Sequence, residues 1–245
     1  MLCSLLDLLL PQTCVGCGAS GPRCCARCLA ELAAAPRPRP PECPPAGLPV
    51  CWSAADYAGA ARRVVVAYKE RGESALAAAL ADVLAYTVTR AVAAAPRPGD
   101  GGRRRLVLVP VPSAVRSLRT RGHDPVGRLA RLAARRLNAY GECRAEVWPA
   151  LAHRRRVADQ AGLSRTERRG NLTGSLWVPN PGESPSAANV LLVDDIVTTG
   201  ATLAEAARAL RRSGAVASAA VTVAATRRRS SKPLRSRTVK MHPSL

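Results

Sequence analysis

Two adjacent carboxylates followed by a loop of hydroxyl residues form the most informative stretch of the sequence. The acids are Asp194 and Asp195, and the loop is Thr198-Thr199-Gly200-Ala201-Thr202. Threonine hydroxyls and the free N–H groups at a helix start bind phosphate, and a glycine lets the backbone come close. Two carboxylates repel phosphate, so they are expected to accept hydroxyls of a sugar or to face a metal. A ribose 5-phosphate satisfies both ends of the loop.

The residues around the acidic pair predict the elements that position it. Asn189 to Val193 is a short apolar run, typical of a strand that is covered on both faces. Apolar residues then recur at helical spacing, at Leu203, Ala206, Ala207 and Leu210. The unit is therefore strand, loop and helix, ending before Gly214. A plain strand with an N-capped helix is the alternative, but capping explains one threonine and not two acids with three threonines.

The segment from Asp194 to Thr202 resembles the phosphoribosyl pyrophosphate (PRPP) motif of type I phosphoribosyltransferases. The resemblance implies that the acidic pair is catalytic and holds the ribose hydroxyls. It also implies that Thr198, Thr199, Gly200, Ala201 and Thr202 bind the 5-phosphate, with Mg²⁺ accompanying PRPP. A receiver domain is a weaker interpretation of the two acids, because too few residues follow to complete that fold.

Four of the nine cysteines have the spacing of a metal site. They form two Cys-x-x-Cys pairs, Cys14 with Cys17 and Cys25 with Cys28. Each pair presents two thiolates to one cation, and two pairs complete the tetrahedral ligand set of a structural Zn²⁺. Disulfides or free thiols are the alternative, which the lack of a recognisable secretory signal disfavours.

Shifts in composition divide the chain into four predicted segments. Residues 1–32 form an N-terminal helix and zinc-knuckle module, and the Pro- and Ala-rich residues 33–49 form a linker. Residues 50–226 alternate strand and helix patterns, which predicts a parallel α/β sheet flanked by helices. The resemblance implies that this sheet is type I phosphoribosyltransferase-like. Residues 227–245 carry seven basic residues and no acid, which predicts a disordered basic tail.

Three further groups of residues match one branch of the transferase superfamily. They are Tyr57-Ala-Gly59 with Tyr68-Lys-Glu-Arg-Gly72, Val109-Pro-Val-Pro112 leading to Arg121-Gly122, and Gln160-x-x-Leu163 with Arg168 and Asn171-Leu-Thr-Gly174. With the cysteine pairs in front, these segments resemble the ComF/GntX family associated with DNA uptake and competence. The resemblance covers the chain up to about Thr226.

Three residues outside the PRPP motif are candidates for binding pyrophosphate. Lys69 is the only lysine before the tail in a chain that otherwise uses arginine, which favours a requirement for a compact ammonium. A solvated surface lysine is the alternative. A strand predicted to end at Pro110 reaches the sheet edge where ligands bind, and the resemblance implies that Ser113 and Arg121 face pyrophosphate. The following His123 departs from the family pattern, and neither it nor His153 is assigned a role.

The formal net charge of +20 favours a nucleic-acid partner, such as single-stranded DNA, because clustered cations bind phosphates. A compositional bias toward Arg and Ala is the alternative. No uninterrupted apolar run is expected to cross a bilayer, which indicates a cytoplasmic protein without membrane insertion. The predicted function is phosphoribosyl transfer from PRPP to an acceptor that the sequence does not identify. The alternative is a non-catalytic PRPP-binding or nucleic-acid handling factor in DNA uptake.

Overall fold

The computed structural model describes residues 12–95, 104–113, 124–141, 143–154, 174–183, 185 and 189–226. The helices in these ranges are Ala26–Ala33 (α1), Gly59–Glu70 (α2), Ala77–Ala93 (α3), Pro125–Tyr140 (α4) and Ala201–Arg212 (α5). The strands are Arg37–Pro38 (β1), Cys51–Asp56 (β2), Arg104–Pro110 (β3), Cys143–Val147 (β4), Ala152–His153 (β5), Leu176–Trp177 (β6), Asn189–Val197 (β7) and Ala217–Ala225 (β8).

Six strands form one sheet in the order β1-β2-β8-β7-β3-β4. Neighbouring strands from β2 to β4 are parallel, and β1 alone in this sheet pairs antiparallel, with β2. The remaining strands, β5 and β6, form a separate antiparallel pair. The predicted α/β class with a mostly parallel sheet is therefore confirmed.

Helices cover both faces of the sheet. Since successive side chains of a strand point to opposite faces, each central strand contributes to a core on both sides. Leu106 and Leu108 of β3 belong to a core shared with α2, α3 and α4. Val107 and Val109 belong to a second core, shared with α5 and the β5–β6 pair. The central strands are thus buried on both sides, which explains their continuous apolar runs.

The predicted strand at 189–193 is longer in the structure. Strand β7 continues to Val197 and so passes through both carboxylates. The cause is the neighbouring strand β8, whose Thr222 pairs with Asp194 and whose Ala225 pairs with Val197. The acidic pair is therefore held by a hydrogen-bonded strand and does not lie in a loop beyond it.

One apolar helix departs from the expectation about membrane-length runs. Ser74–Ala93, which is α3 with the short 3-10 turn before it, is the one helix in the described parts that is long and apolar enough to cross a membrane. Its side chains explain this composition, since Leu80, Leu84 and Val88 are fully buried in the first core. Core packing of this kind is typical of a soluble domain.

The predicted boundaries at residues 32 and 49 stay predictions, but the chain makes many contacts across them. Cys14, Cys28 and Leu32 belong to the same core as α2 and α3. Strand β1, within the predicted linker, joins the main sheet through β2. The cysteine segment is therefore packed against the α/β domain.

Candidate functional site

The acidic pair lies near the carboxyl end of β7, between β3 and β8. Asp195 is almost completely buried, and Asp194 is half-buried. The Oδ1 of Asp194 accepts the backbone N–H of the next residue, Asp195, at 2.8 Å. The strand and this local hydrogen bond fix the orientation of both carboxylates before any ligand arrives.

Lys69, at the end of α2, pairs with the second carboxylate. Its Nζ lies 3.0 Å from Oδ1 and 2.7 Å from Oδ2 of Asp195. The Asp195 side chain is 4% exposed and that of Lys69 31% exposed, so the pair is largely shielded from water. The structure therefore places Lys69 beside the acidic pair, where it forms an ion pair with Asp195.

The charges of this group shift its ionisation. Burial raises the pKa of Asp194 well above its ordinary value, and the neighbouring Asp195 raises it further. Burial alone would lower the pKa of Lys69, but Asp195 outweighs this and raises it. One positive charge therefore faces two carboxylates.

The threonine loop leads directly from β7 into α5. Thr198, Thr199 and Thr202 are exposed, and the helix begins at Ala201. The Thr199 Oγ1 accepts the N–H of Ala201 at 3.3 Å. The N-cap residue is Gly200, which has no side chain to cap the helix. The hydroxyls and first-turn N–H groups thus lie together at the positive end of the helix, as phosphate binding requires.

Gly200 is constrained in two ways. Its φ of 75° lies in the left-handed region that favours glycine. A Cβ at this position would lie 2.8 Å from Cδ2 of Leu48 and 3.1 Å from Cγ of Pro41. The residues from the predicted linker therefore pack against the threonine loop, and they leave no room for a side chain at Gly200.

Ser113 follows β3 at the same edge of the sheet as the acidic pair. Its Oγ is buried and has no hydrogen-bond partner in the described structure. The Nε2 of His153 lies 3.2 Å from the Pro112 carbonyl and 3.1 Å from the Ser113 carbonyl. Because both partners are acceptors, this nitrogen must carry the proton. Arg121, the other residue expected near pyrophosphate, lies outside the described residues, as do His123 and the segment from Gln160 to Asn171.

His153 is the neighbour of the site that sequence reasoning missed. It lies in β5, and the β5–β6 pair brings it over the loop after β3. The sequence shows only a histidine in front of an arginine run. A two-residue strand has too short a pattern to predict such a contact.

The four predicted zinc ligands come together at the start of the chain. Their Sγ atoms all lie within 4.8 Å of one another, and those of Cys17 and Cys25 are 3.7 Å apart. Tetrahedral bonds of about 2.3 Å to Zn²⁺ place sulfur atoms about 3.8 Å apart, so the cluster fits that cation. The site could therefore hold zinc.

The thiols of this segment differ in their pKa. Burial raises the pKa of the Cys14 thiol, but N–H groups of Cys25, Cys17 and Gly16 outweigh it and lower the pKa to about 6. Burial and the nearby ligand thiols raise the pKa of Cys24 to about 11. Burial and the neighbouring cluster thiols also raise the pKa of Cys28, so the closeness of the four sulfur atoms, and not the pKa of each thiol, is what sets the cluster apart from Cys24.

One comparison with known proteins bears on this site. Residues 129–243 match the family model of the phosphoribosyl transferase domain. The match supports the type I phosphoribosyltransferase superfamily. It includes the acidic pair and the threonine loop, and a domain of this kind implies PRPP as ligand and typically uses Mg²⁺. Lys69, Ser113 and the cysteine cluster lie before the matched residues. No curated protein matches the chain.

Proposed function

We propose that this protein binds PRPP with Mg²⁺ and transfers the phosphoribosyl group to an acceptor, with release of pyrophosphate. The observation that carries the proposal is one group of side chains around the end of β7. It combines an oriented acidic pair, a lysine on Asp195 and an exposed threonine loop at a helix start. A strand with a purely structural role is not expected to contain this combination, because burying the charges of Asp195 and Lys69 costs solvation energy.

Different residues of the chain bind different parts of PRPP. Asp194 and Asp195 accept the ribose hydroxyls, and Thr198, Thr199 and Thr202 donate to the 5-phosphate with the first-turn N–H groups of α5. The ammonium of Lys69 has three N–H donors, and one directed at Oδ1 of Asp195 leaves the others for the ligand.

Departure of pyrophosphate is the step that needs charge stabilisation. The bond from C1 of the ribose to the pyrophosphate oxygen breaks, and a bond from C1 to an acceptor nitrogen forms. Lys69, Ser113 and Arg121 are the residues we assign to the pyrophosphate, whose negative charge grows as it leaves. The carboxylates of the acidic pair are oxygen donors that suit Mg²⁺, which supplies further charge neutralisation when bound with PRPP. Positioning of the reactants and stabilisation of charge are enough for catalysis, so no nucleophile from the protein is needed. The acceptor supplies the nucleophile.

Calorimetry with PRPP and Mg²⁺ tests the proposal directly. Asp194→Asn with Asp195→Asn is expected to weaken PRPP affinity at least tenfold, because the ribose hydroxyls lose their charged acceptors. Asp82→Asn with Glu146→Gln removes the same charge from exposed ion pairs elsewhere and serves as the control. Circular dichroism verifies that all variants are folded. Equal affinity in the two double variants would overturn the assignment.

A pyrophosphate-release assay then tests turnover. The wild-type protein is incubated with PRPP, Mg²⁺ and candidate acceptors, namely nucleobases, amines and single-stranded DNA. Release that depends on one acceptor identifies the substrate class. Tight PRPP binding without release from any acceptor would favour the alternative function below.

The alternative is a non-catalytic PRPP-binding or nucleic-acid handling factor that acts in the cytoplasm during DNA uptake. The net charge of +20 favours it, and so does the likeness to the ComF/GntX family. A chain ending at Thr226 loses seven basic residues and keeps β7, α5 and β8. Single-stranded DNA affinity that survives this truncation and falls on removal of residues 1–49 would support the alternative. Affinity that disappears with the tail would contradict it.

A further inference from the structure

A second cavity lies between α5 and the β5–β6 pair, away from the threonine loop. Its volume is about 160 Å³. It is lined by Arg154, Leu176, Trp177, Val178, Pro181, Arg208, Ala209, Arg212 and Ser213. Arg212 ends the helix that Ala201 begins, and at 1.5 Å per residue the two are about 16 Å apart. The cavity is therefore distinct from the proposed PRPP site.

An ion pair on α5 lies beside the cavity and ties the helix to the β5–β6 pair. Glu205 accepts the backbone N–H of Leu176 at 3.0 Å, and its other oxygen accepts Nε of Arg208 at 2.7 Å. Arg208 in turn donates to the Leu176 carbonyl at 3.2 Å. One turn further along the same helix face, Ala209 is too small to fill the space under the hairpin.

The hairpin presents an aromatic ring at the rim of the cavity. Leu176 and Val178 point inward and are buried, whereas Trp177 between them is 40% exposed. Strand alternation explains the outward direction. An exposed indole beside an open cavity offers a flat surface on which another ring can stack.

The charge of the cavity is positive. Arg208 is neutralised by Glu205, but Arg154 and Arg212 are exposed and have no ion-pair partner among the described residues. No carboxylate is among the residues that line the cavity. Arg212 alone is explained by favourable interaction with the C-terminal end of α5, but Arg154 lies on the hairpin and has no such explanation.

We propose that this cavity binds a nucleotide unit, with the phosphate between Arg154 and Arg212 and the base stacked on Trp177. Ligand pockets that enclose a whole small molecule usually measure about 300–1,000 Å³. The smaller cavity takes the phosphate, and the base lies at the rim where the indole is exposed. A free nucleotide and a strand of single-stranded nucleic acid offer the same chemistry.

Calorimetry with adenosine monophosphate tests the site, with PRPP and Mg²⁺ in excess so that the threonine loop is occupied. Arg154→Gln with Arg212→Gln is expected to weaken binding at least tenfold, and Trp177→Leu about tenfold. Arg135→Gln with Arg144→Gln removes the same charge from exposed positions on α4 and β4 and is expected to leave binding unchanged. Inorganic phosphate serves as a second probe, whose binding depends on the two arginines and not on Trp177.

Equal adenosine monophosphate affinity in the two arginine double variants would overturn the proposal, and so would an unchanged affinity in Trp177→Leu. The source of the ligand follows from a third probe, a short oligodeoxythymidylate. Affinity for the oligonucleotide that falls in the same variants identifies a nucleic-acid strand. Affinity that does not fall identifies a free nucleotide.

Discussion

The cysteine cluster and the acidic site differ in how far apart in sequence their parts lie. The four cysteines fall between residues 14 and 28, so their spacing alone predicts the cluster. The acidic pair is equally compact, but its partner Lys69 is 126 residues away from Asp195. A metal site of this kind is a local property of the sequence. A ligand site at a sheet edge is a property of the fold.

Helix α2 joins these two regions. Near its start, the Nε of Arg63 donates to the Gly16 carbonyl, between the first two cysteines of the cluster, at 2.8 Å. At its end, Lys69 holds Asp195. Just beyond the helix, Glu73 pairs with Arg23 of the cysteine segment, with Nε to Oε2 at 3.0 Å. Changes in the cysteine cluster are therefore expected to reach the acidic site through one rigid element.

The largest effect is expected from breaking the cysteine cluster. Cys14→Ser with Cys17→Ser should abolish zinc binding, which we expect at about one ion per chain, and lower the stability of the whole domain by several kcal/mol. The reason is that Cys14 and Cys28 share the core with α2 and α3. Metal analysis and thermal unfolding measure both effects. Cys43→Ser, at an exposed position, is the control, and an unchanged melting temperature in the double variant would contradict the shared core.

The next effect concerns the buried pair at the other end of α2. Lys69→Met leaves Asp195 without its cation and should cost about 2 kcal/mol, less than for a fully buried pair because Lys69 is partly exposed. Adding Asp195→Asn removes the unpaired charge and should restore much of the loss. Chemical denaturation of the four members of this cycle measures the coupling. Purely additive effects would mean that the pair contributes nothing.

A smaller effect is expected from the connection itself. Arg63→Gln removes the donor to the Gly16 carbonyl and should weaken zinc affinity about tenfold, as loss of a group that supports metal ligands commonly does. Competition with a chelator measures the affinity. Arg62→Gln, at the exposed neighbouring position, should leave it unchanged. If both variants behave alike, the cysteine segment does not depend on α2.

The smallest effect is a gain in stability. The pKa of Asp194 is higher in the folded protein than in the unfolded chain, so its contribution to stability is present in acid and lost as pH rises through the folded pKa. Asp194→Asn does not titrate and keeps an acceptor for the Asp195 N–H. We therefore expect a gain of about 1 kcal/mol at neutral pH that disappears in acid. Melting temperatures from about pH 4 to pH 8 measure it. A gain that is equal at every pH would contradict the raised pKa.

The sequence predicts the elements better than the contacts between them. Strand β7 and helix α5 follow from apolar spacing, and the threonine loop follows from its composition. The extension of β7 through Asp194 depends on β8, whose pairing has no signal within β7 itself. The contact of His153 with the Ser113 loop likewise depends on a two-residue hairpin. Pairing between segments that are distant in sequence positions these residues, and a local sequence pattern cannot predict such pairing.

The cysteine cluster could be predicted from the sequence because its parts are close together along the chain. Thiol ligands need only a shared cation, and a short loop is enough to bring the two pairs together. The packing of the segment on α2 is not visible in the same pattern, because it involves Arg63 and Ala60 from a helix beyond the Pro-rich stretch. The low periodicity of residues 33–49 leads to the prediction of a linker. Low periodicity indicates that a segment has no regular helix or strand, but it does not indicate that the segment is unpacked.

The wall that Pro41 and Leu48 build against Gly200 makes the threonine loop observable by spectroscopy. Cys43 lies between these two residues and is exposed, while Cys51 nearby is buried. Cys3 and Cys24 are not part of the cluster, so with both replaced by serine and the cluster thiols bound to zinc, an alkylating dye is expected to react preferentially at Cys43. Its emission then reports movement of the wall when phosphate enters the loop, without any label on the residues that bind it.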